Sequence, residues 1–357
     1  MKTLITQRLI LRPFEMTDAA AVFRYQSNPN AAKYDGWKPC EKPEDAEKAL
    51  INMMNMKKKG GENRAILLKD TGELIGQIGL CEDDIRHRIP RCKKVNYLLA
   101  EEQWGKGYAT EALTEVVRYA FEEVKLNILT VAYLTGNAGS KHVMEKCGFR
   151  FDGVIRQAMR RYDGKIFDSF EYSMTRREYL AQKAKRLGLI LMLAEALTKE
   201  AFMEYYQETK AAEPHQFITP YAADLKGDSY ENWLCERILY RKEAREGLVC
   251  GTTYFLSDQS GRVYGAADIR HSLNESLSRV GGHIGYGIRP SERQKGYAAM
   301  MLALSLEKAT ELGITEVLIT CSDDNAASYK TMEACGAVMK DKLENNGNFI
   351  RRYIIRL

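Results

Sequence analysis

Trp104-Gly105-Lys106-Gly107-Tyr108-Ala109 and Arg293-Gln294-Lys295-Gly296-Tyr297-Ala298 are the two stretches whose reading decides the fold. Gly107 and Gly296 stand 189 positions apart. Downstream, Asn137-Ala138-Gly139-Ser140 is echoed by Asn325-Ala326-Ala327-Ser328, at an offset of 188. Met144-Glu145-Lys146-Cys147-Gly148 is echoed by Met332-Glu333-Ala334-Cys335-Gly336, again 188 apart. Three landmarks holding one offset to within a residue mark a duplicated domain, because a period near 190 is far too long for a solenoid.

The flanking pattern is the same in both copies. Val95–Leu99 is strand-like and is followed by a short polar turn over 100–103. Leu113, Val116, Val117, Ala120 and Phe121 then recur at the helical period, so a helix spans Thr110–Phe121. Ile128–Tyr133 is a β-branched strand, and Ser140–Lys146 a short helix that Gly148 is placed to end. The second copy runs strand His283–Ile288, glycine turn, helix Ala298–Leu312, strand Glu316–Cys321, helix Ala327–Ala334, stop at Gly336. Asp163-Gly164 and Asn346-Gly347 each read as the turn of a closing hairpin. A polar stretch, 181–186, precedes a new strand at Leu189–Leu193, and Thr198 is a plausible helix N-cap beyond it. The expected organisation is therefore a domain at 1–180, a linker at 181–188 and a second domain at 189–357.

Composition bounds the class. With 45% hydrophobic and 28% charged residues among 357, the chain has material for two folded cores and is not a low-complexity or disordered sequence. No stretch approaches the ~20 apolar residues of a membrane span, and Arg8 and Arg12 break the apolar start, so no signal peptide is expected and the location reads as cytoplasmic. A net charge of +5 from 53 basic and 48 acidic residues demands no nucleic acid. The basic run Arg86–Lys94 reads as a solvated loop, with an anion-facing rim as the other reading. None of the eight cysteines stands in a C-x-x-C pair, so no metal and no redox dithiol is expected.

A strand that enters a glycine turn and then a helix leaves backbone N–H groups aimed at the turn, where the helix adds partial positive charge. That is an anion site, and glycine lets a phosphate approach the backbone closely. Gly105-x-Gly107-x-x-Thr110 lacks the third glycine of a dinucleotide fingerprint, and no Walker A run is present. A purely structural turn would explain one copy, but hardly two with matched Asn and Ser downstream.

Arg293-Gln294-Lys295-Gly296-Tyr297-Ala298 resembles the R/Q-x-x-G-x-G/A motif with which the GNAT superfamily of acyl-CoA-dependent N-acetyltransferases binds pyrophosphate. The first copy carries Trp104 where Arg or Gln is usual. Its Trp-Gly-Lys-Gly-Tyr-Ala-Thr-Glu-Ala string, the start Thr6–Arg12, Asn137-x-x-Ser140 and Cys147-Gly148-Phe149 resemble the branch of ribosomal-protein N-terminal acetyltransferases. The second half, through Ile269–Asn274 and Gly281–Pro290, is similar to a branch of predicted acetyltransferases. The resemblance implies two tandem α+β domains, each a mixed, mostly antiparallel sheet flanked by helices. Its fourth and fifth strands splay apart to receive pantetheine like an added strand. The splayed strands would be Val95–Leu99 with Ile128–Tyr133, and His283–Ile288 with Glu316–Cys321. It further implies acetyl-CoA as cofactor, held by Leu99, Trp104, Gly105, Lys106, Gly107, Tyr108, Ala109, Thr110 and Asn137 in the first domain. In the second, Ile288, Arg293, Gln294, Lys295, Gly296, Tyr297, Ala298 and Asn325 would hold it.

The implied activity is acetyl transfer to a primary amine, a protein N-terminus or a small molecule; the other class is an acyl-CoA-binding or sensing protein with silent domains. The partner is then an amine of unknown identity, with no nucleic acid or membrane, and the chain a monomer or homodimer. Asn137 and Asn325 are either helix caps or contacts to pantetheine. Ser140 and Ser328 are candidate donors to the leaving thiolate, since Met144 and Met332 stand where many relatives have Tyr; Tyr329 is a fallback. His283, His271, Asp268 and Glu102 are candidate bases, beside a water chain. Trp104 reads as a packing residue, and Met53, Met54 and Met56 as core or pocket lining. The acceptor loops fall near 27–42 and 208–227.

Overall fold

A computed structural model describes residues 1–34, 36–56, 60–214, 216–244 and 247–357, which form two units, Met1–Thr175 and Arg176–Leu357. In the first, the apolar alternation of Leu9 and Leu11, both fully buried, sets β2 (Leu9–Pro13) beside the short β1 (Leu4–Ile5). Then come α1 (Ala19–Gln26), α2 (Pro43–Met54), β3 (Glu62–Leu68), β4 (Leu74–Cys81) and β5 (Cys92–Leu99). After these follow α3 (Tyr108–Glu122), β6 (Ile128–Leu134), α4 (Ala138–Lys146), β7 (Arg150–Arg160) and β8 (Ile166–Thr175). Pro43 opens α2 at a position where a missing N–H costs nothing. α1 and α2 bury Val22, Tyr25, Ala46 and Leu50 against Ala65, Leu67 and Leu74 of the sheet.

The sheet order is β1-β2-β3-β4-β5-β6-β8-β7, and every described pairing is antiparallel except β5 with β6. That pair is parallel over Cys92–Lys94 and Ile128–Thr130 only; beyond Lys94 the two strands part. The expected fourth and fifth strands are thus β5 and β6, one number on because the short β1 precedes β2 and pairs antiparallel with it.

The second unit opens on α5 (Arg176–Arg186) and β9 (Ile190–Leu193), then α6 (Lys199–Ala212) and α7 (Tyr230–Lys242). Thr198 caps α6 by accepting from Ala201 N at 3.2 Å. β10 (Gly251–Ser257), β11 (Val263–Arg270), α8 (Glu275–Arg279), β12 (Ile284–Ile288) and α9 (Tyr297–Glu311) follow. β13 (Glu316–Ser322), α10 (Ala326–Ala334), β14 (Val338–Asn345) and β15 (Asn348–Arg356) complete it. Asn346 and Gly347 both take positive φ, +51° and +79°, as a two-residue hairpin turn requires.

Two expectations are corrected here. Residues 181–186 are not linker: they belong to α5, whose Ala181 and Ala184 are buried in the core that also holds Met301, Leu302 and Leu306 of α9. The units divide at Thr175/Arg176 instead. Nor is the second unit one mixed sheet. Its strands form two antiparallel sheets, β12-β11-β10-β9 and β13-β15-β14, that among the described residues meet at one bridge, between Gly282 and Ile319. Gly282, at φ +66°, turns the chain out of the extended region, and a Cβ there would lie 2.3 Å from Leu318 O. The splay is complete where the first unit keeps three paired residues.

Candidate acetyl-donor site

In both units the glycine turn adopts the geometry of an anion cradle. Gly107 and Gly296 are the N-caps of α3 and α9 with φ +81° and +87°, a left-handed conformation that L side chains rarely adopt. Gly105 has φ +73°, and its counterpart Gln294 has φ +64° at a cost of ~1–2 kcal/mol for a side chain there. The first backbone partner beyond the turn is made by Glu111 N to Gly107 O at 3.1 Å, and by Met300 N to Gly296 O at 3.3 Å. The six amides of residues 105–110, and likewise of 294–299, donate to no acceptor among the described residues. A Cβ built on Gly105 or Gly296 meets no protein atom within 4 Å. Space and donors therefore coincide, which suits a pyrophosphate.

The copies match down to single bonds. Trp104 Nε1 donates to Leu99 O at 2.9 Å, and Arg293 Nε donates to Ile288 O at 3.1 Å. Lys106 Nζ reaches Gln103 Oε1 at 3.0 Å and Lys295 Nζ reaches Glu292 Oε2 at 3.0 Å. Asn137 Oδ1 accepts from Ser140 N, and Asn325 Oδ1 from Ser328 N, each at 3.0 Å, so both asparagines cap their helices. Tyr97 Oη donates to Ser140 O and Tyr286 Oη to Ser328 O, each at 3.3 Å, tying β5 to α4 and β12 to α10. Ser328 Oγ lies 3.3 Å from Tyr286 Oη as well. Burial pushes the Tyr97 and Tyr286 hydroxyls well above their ordinary pKa, so both stay protonated.

Several expected roles change. Trp104 is 45% exposed and is not a packing residue; its indole N–H is spent on the strand. Leu99 and Ile288, expected among the residues that hold cofactor, have their carbonyls accepting from Trp104 Nε1 and Arg293 Nε. The Arg293 guanidinium is further held by Glu213 at 2.8 Å. His283 spends the Nδ1 lone pair on the backbone of β13. Its Nδ1 accepts from Leu318 N at 3.0 Å while its backbone N–H donates to Leu318 O at 2.7 Å, so it latches β13 to the start of β12. Burial holds its pKa below the usual range. His271 Nε2 is 2.9 Å from Thr252 Oγ1, and Glu102 is exposed beside Arg24. Asp268 is buried, accepts from Thr253 Oγ1 at 2.9 Å and from Tyr240 Oη at 3.4 Å, and has its carboxyl pushed upward by burial. Tyr329 stacks under Arg351, 4.1 Å from its ring centre. Met53 is core, but Met54 is exposed. In the basic run, Arg86 pairs with Asp152 at 2.7 Å, and Cys92–Lys94 are already strand.

Four residues escaped the sequence reading. Glu111, in the first turn of α3, accepts from Thr6 Oγ1 at 2.6 Å, Arg8 N at 2.7 Å and Arg8 Nε at 2.6 Å. Arg8 in turn donates to Lys106 O at 3.1 Å and lies over the Tyr108 ring, placing a cation beside the first turn. The position matching Glu111 in the second copy is Met300, so the repeat gave no signal. Tyr97 and Tyr286 stand at the common offset and were open to the same comparison.

A cleft of about 690 Å³ in the first unit is lined by Gln26, Trp37, Cys40, Asp45, Asn52 and Gln77, overlapping the loop at 27–42 where an acceptor is expected. Asp35 and His215, within the two expected acceptor loops, lie outside the described residues.

The acetyltransferase (GNAT) domain family matches the chain twice, over residues 8–150 and 188–338. An uncharacterized N-acetyltransferase of Bacillus licheniformis, p20, is 29% identical over 50% of this chain and 99% of its own length. Another from Bacillus subtilis, YoaA, is 33% identical over 48% of this chain and 95% of its own. The crystal structure of a GNAT-family acetyltransferase from Bacillus anthracis aligns with 49% of this chain and 98% of its own, at 25% identity and a TM-score of 0.44. With the family's domain matched twice, over most of its length, the chain belongs to the GNAT acetyltransferases.

Proposed function

We propose that the chain moves the acetyl group of acetyl-CoA to a primary amine, of a protein N-terminus or a small molecule. The observation that carries this reading is the conjunction, in each unit, of six unpartnered turn amides with a splayed strand whose edge is open. Acetyl-CoA supplies a thioester carbonyl open to attack by a neutral amine. Residues 105–110 would hold its pyrophosphate in the first unit, with Arg8 adding positive charge, and residues 294–299 in the second. Asn137 and Asn325 fix the helix starts that present Ser140 and Ser328, which we assign as donors to the departing sulfur. The Tyr286 hydroxyl, protonated and 3.3 Å from Ser328 Oγ, supports that serine from behind. His283 has no part in this scheme. A cytoplasmic location, and a monomer or homodimer without nucleic-acid or membrane partners, belong to the same proposal.

The test is release of coenzyme A thiol with a panel of amines: peptide N-termini, polyamines, aminoglycosides and small metabolites. Amine-dependent release with matching amide formation is expected. Tight acetyl-CoA binding with no turnover on any amine would favour a sensing role instead.

A further inference from the structure

The side chain that opens each glycine turn makes one bond with two unrelated chemistries. An indole N–H in the first unit and a guanidinium Nε–H in the second both donate to the carbonyl of the last residue of the splayed strand. The residues stand 189 apart, as do their acceptors. Neither group is placed as a phosphate ligand: Trp104 carries no charge, and Arg293 gives its other end to Glu213.

The acceptor's position gives the bond its meaning. Peptide groups alternate along a strand. Leu98 O faces β4, 2.2 Å from where a Gly76 Cβ would sit, and Gly287 O faces β11, 2.5 Å from a Gly265 Cβ. Leu99 O and Ile288 O therefore point the other way, to the edge left open by the splay, and each is the last acceptor on that edge. We propose that Trp104 and Arg293 are positioning residues that close this last acceptor. They set the register in which the extended arm of acetyl-CoA pairs with the strand, and lock the strand end to the pyrophosphate turn. The inference rests on the acetyl-CoA reading above and assigns no new ligand.

The test uses the full-length chain, titrated calorimetrically with acetyl-CoA and separately with ADP 3′-phosphate, the nucleotide end that needs the turn alone. Trp104→Phe keeps an aromatic ring and removes the donor; Trp104→Arg restores a donor in the form the second unit uses. Trp104→Phe should weaken acetyl-CoA at one of two sites by roughly fivefold to tenfold, leave ADP 3′-phosphate within twofold, and be rescued by Trp104→Arg. Unchanged acetyl-CoA affinity in Trp104→Phe would overturn the proposal. So would an equal loss for both ligands, which would make Trp104 a support of the turn alone, or failure of Trp104→Arg to rescue. A parent chain that binds neither ligand would instead remove the acetyl-CoA reading, and this inference with it.

Discussion

Replacing Gly296 by Asp puts a carboxylate into the second cradle without crowding the protein. The new Cβ meets no protein atom within 4 Å, and φ +87° costs an L residue ~1 kcal/mol, with Asp among the better tolerated. Asp is also a good N-cap, so it can satisfy some of the amides a phosphate would use. A carboxylate ~5 Å from a phosphate charge is unfavourable by ~0.8 kcal/mol in water and ~3 kcal/mol at an effective dielectric near 20. Acetyl-CoA at that site should therefore bind about fourfold to a few hundredfold more weakly. Gly296→Asn has the same shape without the charge, so the Asp–Asn difference isolates electrostatics from occupancy. At Gly107 the new Cβ would lie 3.4 Å from Arg8 Nη2, which draws the carboxylate aside, so Gly107→Asp should fall at the lower end of that range. Calorimetry with acetyl-CoA reads both affinity and stoichiometry, and circular dichroism checks the fold. Each Asp variant should silence only its own site. If both stay folded and bind with parental affinity and stoichiometry, the cradle argument is wrong.

Glu111→Ala removes three bonds that hold residues 6–8 to α3, and should cost about 2–4 kcal/mol, read as a lowered Tm of the first unit. Burial alone would raise the Glu111 carboxyl, but the Thr6 and Arg8 donors hold it below its ordinary 4.5, so this stabilisation is present above that pH and lost as pH falls through the depressed value. His283 and His271, both held below 6.5 chiefly by burial, bind protons more readily unfolded; the second unit should lose stability as pH drops below 6.5, and His283→Gln should flatten the slope of Tm against pH. Gly282→Ala places a Cβ 2.3 Å from Leu318 O at φ +66° and should lower the Tm of the second unit far more than Gly296→Ala, which meets nothing. Gly107→Asp and Gly296→Asp, each leaving one working site, should acetylate different amines in a common panel; identical acceptor profiles would count against divergence of the two acceptor faces.

The donor half of the site was legible because it is made of backbone. A turn needs glycine where φ is positive, a helix start needs Asn or Ser, and such demands leave letters at fixed spacing, as Gly107, Gly296, Asn137 and Asn325 do. The splay was legible only through resemblance, since no residue type encodes a missing ladder. His283 misled because a strand histidine reads as chemistry, while its imidazole is consumed by the Leu318 amide. Residues 181–186 of α5 read as linker because they are dense in Lys and Arg, and Ala181 and Ala184 give a weak apolar signal at helical spacing. Glu111 and Arg8 were invisible for a different reason: they meet across 103 residues of chain.

What the duplication kept and what it changed divide along the faces of each sheet. Toward α3 and α9 the Glu111 bonds to Thr6 and Arg8 have no counterpart at Met300, but the two copies share three others: Trp104 or Arg293 to the strand end, Tyr97 or Tyr286 to the next helix, Cys147 or Cys335 to the carbonyls of Thr110 or Ala299. On the opposite face, where Leu98 packs against α1 and α2 and Ala266 against α6 and α7, the matched positions disagree in charge. Lys94 and Glu171 form an ion pair at 3.3 Å in the first unit. Their counterparts by strand pairing are His283, latched to Leu318, and Arg352, bound to Asp341 at 2.6 Å. Gly79 and Cys81 give way to Asp268 and Arg270, and Asn96 to Gly285. Drift alone would wear both faces equally. Retention of these three bonds in both copies, down to a tryptophan and an arginine making one of them, fits a constant cofactor. The changes of charge opposite, Lys94 to His283, Glu171 to Arg352 and Cys81 to Arg270, are what the proposed function would need if the two copies took acceptors of different charge.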